Sequence, residues 1–174
     1  MTKINRLSIL FALLFTSIFS LGADVYAQQK AAIEVFNETA LNKIVPKSFY
    51  FAGQSADTQM RNTAAARIGE NRHVIAGMVD TSGYSTEISG KYEGFFITDS
   101  PIIVGGKRLE TGAYGFGFSA DGKLHFFDLS SKEIMNVPTS TDAEMRRPRP
   151  LLMIAAADGV RFYKGKNYAL ISLK

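Results

Sequence analysis

The chain of 174 residues contains no cysteine, and it has only two histidines, His73 and His125, and five prolines. The missing cysteine excludes disulfides, a lipid-modified N-terminal cysteine and sulfur ligands for a metal. Neither histidine has a second histidine two or four residues away. A zinc site needs three or four nitrogen or sulfur donors, so no metal and no cofactor are expected. There is no G-x-S-x-G nucleophile elbow and no G-x-x-x-x-G-K-[ST] phosphate loop. Charge of one sign is also scarce. The net charge is +4, spread along the chain without a basic block, which gives no nucleic-acid footprint.

The first 27 residues have a pattern of their own. Lys3 and Arg6 precede an uncharged apolar run from Leu7 to Leu21, followed by small residues around Val25-Tyr26-Ala27. This layout predicts a secretory signal peptide over residues 1–27, cleaved near Ala27. At 15 residues the run is shorter than the roughly 18 to 20 needed to span a bilayer, so no stable membrane insertion is expected after cleavage. The expected location is secreted or periplasmic. Residues 28–174 keep 18 basic and 15 acidic residues and have the length of one domain, which must hold together by its core alone.

Within that domain the dominant period is two. Tyr114, Phe116 and Phe118 alternate with Ala113, Gly115 and Gly117, so a strand would place all three rings on one face. Further strands are predicted over Ser48–Ala52, Thr58–Ile68, His73–Val79, Lys91–Thr98, Lys132–Val137, Leu151–Ala157, Val160–Lys164 and Tyr168–Leu173. Breaks are expected at Gln54–Asp57, Glu70-Asn71, Asp121-Gly122 and Asp158-Gly159. One amphipathic helix is predicted over Lys30–Lys47, from Ile33, Phe36, Ala40, Leu41 and Ile44 at three- and four-residue spacing. The expected fold is mainly β, an antiparallel β-sandwich or a closed barrel-like sheet, with that single N-terminal helix. Most strands are five to seven residues, short of the roughly 9 to 11 a membrane barrel requires.

The segment Gly106-Lys107-Arg108-Leu109-Glu110-Thr111-Gly112-Ala113-Tyr114 has the form G-K-x-L-x-x-G-x-Y and follows the apolar run Ile102-Ile103-Val104. It resembles the corresponding hairpin of exported bacterial β-sandwich domains of unknown function. The resemblance covers Phe96 to Phe127 and implies export and a sandwich; it carries no catalytic residues. Read from its residues alone, the segment also suits a tyrosine corner, in which the Tyr114 hydroxyl bonds backbone a few residues upstream and Gly112 permits the bend.

No catalytic group is assembled by spacing. Asp80-Thr81-Ser82-Gly83 faintly resembles the turn of aspartic proteases, but an extra serine interrupts it and no second copy exists. Ser82 and Ser85 have no base nearby in sequence. Pro138–Pro150 reads as an extended surface loop stiffened by proline. It carries Arg146, Arg147 and Arg149, whose guanidinium groups suit carboxylates or phosphates. With the loop residues Tyr84 and Tyr92 they form the candidate binding surface. The expected function is a non-catalytic ligand-binding or interaction module of the cell envelope, its partner an envelope protein or a small molecule. The alternatives are a hydrolase acting on envelope carbohydrate or peptide, and a structural or assembly subunit. A histidine within reach of a carboxylate in a cleft would favour the hydrolase.

Overall fold

A computed structural model describes residues 32–172. The leader expected over residues 1–27 lies outside the described residues. Two antiparallel sheets make up the fold, and neither closes into a barrel, which removes the barrel-like alternative.

The first sheet is built from β1 (Ile33–Val35), β2 (Ser48–Phe51), β3 (Gln54–Ile68), β4 (Arg72–Val79), β5 (Gly94–Thr98), β8 (Gly112–Phe118), β9 (Lys123–Phe127) and β10 (Glu133–Pro138). Its order is β1-β3-β4-β5-β8-β9-β10, with β2 paired to the start of β3. The second sheet takes β6 (Ile102–Val104), β7 (Lys107–Leu109), β11 (Ser140–Thr141), β12 (Arg149–Ala156), β13 (Gly159–Gly165) and β14 (Asn167–Ser172). Its order is β12-β13-β14-β6-β7, with β11 paired to β14. The chain therefore leaves the first sheet after β5, forms a ribbon in the second sheet, and returns to pair β8 with β5.

That return is the G-K-x-L-x-x-G-x-Y segment. Leu109 is buried, and the Tyr114 hydroxyl donates to the Glu110 carbonyl at 3.0 Å. This is the tyrosine-corner bond, and it pins the bend where the chain changes sheets. Gly112 serves by its size: a Cβ there would lie 2.9 Å from the Tyr114 oxygen.

Several predicted elements differ: beside the expected single helix there is a short one at Thr86–Ser89, and the loop expected over Pro138–Pro150 contains Ser140–Thr141, paired with β14, and the start of β12 at Arg149. The helix expected over Lys30–Lys47 is confined to α1 (Glu38–Ile44), and Ile33–Val35 is strand instead, paired with Ile68–Ala66. Asn37 sets the helix start, because its side chain accepts the Ala40 amide at 3.0 Å. No residue of α1 itself is buried and Ile44 is exposed, but Leu41 and the buried Val45 just after the helix pack into the outer core, so the stripe covers the sheet only in part. The break expected at Gln54–Asp57 is strand. The turn falls one step earlier, at Ala52-Gly53, both with positive φ, the geometry that suits a two-residue hairpin.

Alternation in the first sheet produces two separate cores. Phe96, Phe116, Leu124 and Phe126 face the second sheet and meet Phe162, Met153 and Ile171 there. Phe95, Val79 and Phe127 face the other way and are covered by Val45, Phe49, Phe51, Tyr84 and Tyr92. The first sheet is thus buried on both sides, with the second sheet on one and the β2 ribbon and the 80–93 connection on the other.

Candidate functional site

A recess of about 690 Å³ opens at the mouth between the two sheets. One lip is the end of β8 and its turn, Phe118, Ser119 and Ala120. The other is the start of β12, Pro148 to Pro150, with the β13–β14 hairpin from Lys164 to Asn167. Apolar rings from Phe118, Pro148 and Pro150 therefore sit beside the cations Arg149, Lys164 and Lys166.

Glu93 braces this mouth. One of its carboxylate oxygens accepts the Phe118 amide at 2.9 Å, and the other pairs with Lys164. Lys164 is therefore neutralised within the fold. Among the described residues, neither Arg149 nor Lys166 forms an ion pair, so their charges remain for an incoming group. The preceding loop is anchored rather than loose. The Asp142 amide donates to the Lys166 carbonyl at 2.9 Å, and the Tyr163 hydroxyl donates to the Asp142 carboxylate at 3.0 Å.

The expected binding surface is only partly assembled. Arg149 lines the groove, and it also borders a second recess of 380 Å³ beside Phe36, Leu41 and Met60. Arg146 and Arg147 are exposed just upstream but line neither recess. Tyr84 and Tyr92 are not on the surface at all: they are 8% and 0% exposed. Their rings are drawn into the outer core, where Phe51 stacks on Tyr92 with centroids 3.9 Å apart. The room comes from the glycines of β8. A Cβ at Gly115 would strike the Phe51 ring at 2.4 Å, and one at Gly117 would overlap the Lys91 carbonyl. Among the described residues the Tyr92 hydroxyl is buried without a hydrogen-bond partner, and burial pushes its pKa well above the usual phenol value, with Tyr84 adding to the rise.

Both histidines meet carboxylates. His73 Nδ1 lies 2.8 Å from Asp99 Oδ2 on an open surface. Partial burial opposes ionisation of Asp99, but hydrogen bonds from the His73 amide and ring outweigh it and hold its pKa below the ordinary value. His125 stands in a longer row. Its Nδ1 is 2.9 Å from Glu133 Oε2, and its Nε2 is 2.9 Å from the Ser119 hydroxyl, on the lip of the groove. Glu133 also accepts the Asn136 side-chain amide at 2.6 Å. That bond and the His125 bond keep its pKa below the usual carboxylate range. The Ser119 hydroxyl additionally touches Asp121, which Lys123 neutralises at 2.6 Å. Asp121 is held down to about 2, first by Lys123 and then by Ser119.

Spacing concealed this row. Ser119 and Lys123 are brought opposite each other by the Asp121-Gly122 turn, which the sequence does show. Glu133 and Asn136, three apart on a strand, would normally face opposite sides. A bulge between Glu133 and Met135 returns Glu133 to the side of Asn136, which is paired with His125. Nothing in the local sequence announces that bulge.

Asp80 is committed locally. Its carboxylate accepts the Ser82 amide at 3.0 Å, which lowers its pKa, and the Asp80–Gly83 segment is a polar turn beside a shallow recess. Among the described residues no cluster of three or more metal-ligating side chains occurs. No family model, curated protein or solved structure matches this chain.

Proposed function

We propose that this protein is an exported envelope module that binds an anionic saccharide in the groove between its two sheets. The observation that carries the reading is the pairing of two unneutralised cations, Arg149 and Lys166, with the apolar faces of Phe118, Pro148 and Pro150. Guanidinium and ammonium groups attract carboxylates, and flat apolar rings suit the C–H faces of sugars. The leader pattern over residues 1–27 and the resemblance of the corner hairpin to that of exported bacterial sandwich domains support the envelope location. A brace such as Glu93–Lys164 keeps the groove open before binding, which reduces the ordering cost.

The test is titration calorimetry of the protein with oligogalacturonate, against a neutral dextran oligomer of equal length. Binding of the acidic oligomer alone is expected, weakening as salt is raised. Replacing both cations, Arg149→Ala with Lys166→Ala, is expected to lower affinity by roughly tenfold. Equal affinity for the neutral oligomer, or no change in the double variant, would overturn the reading.

A further inference from the structure

We propose that Ser119 is a nucleophile toward esters of anionic molecules, with His125 as its base and Glu133 as the positioning residue. The inference rests on the groove being the ligand site, because Ser119 belongs both to its lining and to the hydrogen-bonded row.

The geometry meets each requirement of acyl transfer in turn. A serine hydroxyl is a weak nucleophile until a base stands within hydrogen-bond reach, about 2.6–3.2 Å, and the base is itself oriented by a third group. Here the hydroxyl-to-imidazole distance is 2.9 Å and the imidazole-to-carboxylate distance is 2.9 Å. With Glu133 accepting from Nδ1–H, the neutral ring presents its lone pair at Nε2, toward Ser119. Asn136 fixes Glu133 from the side, and the ring of His125 lies parallel to that of Phe127, with centroids 6.2 Å apart. The turn after Ser119 uses the amides of Ser119 and Gly122 for its own bonds, to Lys123 and Ser119 carbonyls. The amide of Ala120, the next residue and also in the lining, is outside those backbone bonds and would be the nearest candidate donor to a developing oxyanion.

In the reaction, Ser119 Oγ bonds to the ester carbonyl carbon while its proton passes to His125 Nε2. The tetrahedral adduct collapses, the ester C–O bond breaks, and the leaving alcohol takes the proton from Nε2. Water then attacks the acyl-serine, gives its proton to Nε2, and the carboxylic acid departs as the proton returns to Ser119. Arg149 and Lys166 would hold the anionic group of the substrate throughout. Asp121 competes with His125 for the resting hydroxyl proton, and Lys123 blunts that competition by pairing with its other oxygen.

The experiment uses two acetate esters, 4-acetoxybenzoate and uncharged phenyl acetate, and a fluorophosphonate whose adduct is located by peptide mass mapping. The protein is expected to label on Ser119 and to hydrolyse the charged ester with the lower KM. Ser119→Ala abolishes turnover, and His125→Gln lowers kcat by roughly 100-fold or more. Glu133→Gln lowers kcat while leaving KM in place, and Asp121→Ala raises kcat by removing the stronger of the two acceptors, Asp121 and the Lys123 carbonyl, that compete with His125 for the hydroxyl proton. Labelling of the unmodified protein needs no variant to fold. Absence of both labelling and turnover while oligogalacturonate still binds overturns this inference and leaves the binding reading standing. Turnover that survives in Ser119→Ala, or no preference for the charged ester, overturns it as well.

Discussion

The two cores flanking the first sheet are built by different rules. The inner one is a meeting of two regular surfaces: alternate residues of β5, β8 and β9 point at alternate residues of β12, β13 and β14. Its rings meet edge to face, with Phe162 centred 5.5 Å from Phe96 and 5.3 Å from Phe116. The outer core has no second sheet. Short, separated stretches cover it, and glycines in the sheet itself supply the depth. The lesson is that one sheet can be buried on both faces by unlike means, through matched alternation on one side and through missing side chains on the other. The inner core holds the two sheets together, while the outer core holds a ribbon, β2, whose only strand partner among the described residues is β3. Global stability should therefore reside mainly in the first, and local opening in the second.

The sharpest way to break this contrast is Phe162→Ala. It empties the centre of the inner core and should cost about 3–5 kcal/mol, read by urea unfolding. Gly115→Ala pushes a methyl group into the Phe51 ring and should cost about 1–3 kcal/mol, since the ring must move. Its signature is faster amide exchange in β2 and the start of β3, with inner strands still protected. A loss of protection spread evenly over both sheets would show that the two cores unfold as one. The smallest effect is Tyr92→Phe. Removing an unpaired buried hydroxyl should leave stability unchanged or raise it by about 1 kcal/mol in thermal unfolding. A clear loss would mean that the hydroxyl has a partner.

The same contrast explains what could be read in advance. Strands β4, β8 and β13 declare themselves because one periodic face meets another, and the tyrosine corner declares itself through Leu109, Gly112 and Tyr114. The outer core was hidden because Tyr84 and Tyr92 lie in polar, glycine-bearing surroundings that read as exposed loop. Only the opposing Gly115 and Gly117 hint that something large must enter. The helix reads as longer than α1 because Ile33 and Phe36 fit a helical spacing, while the alternation of Ile33 and Val35 fits a strand; pairing with β3 decides between them. Of the candidate site, Arg149 was legible as a charge on a proline-stiffened strand entry. Ser119, His125 and Glu133 were not, because a hairpin and a bulge, rather than sequence spacing, bring them into line.

The position of β14 has a consequence for how the molecule is made. It lies between β13 and β6, so it is an interior strand of the second sheet although it comes after every other strand among the described residues. Until β14 inserts, the β6–β7 ribbon lacks the strand that ties it to β13. Closure of the second sheet thus depends on pairing two segments far apart in sequence, a non-local contact of the kind that slows folding.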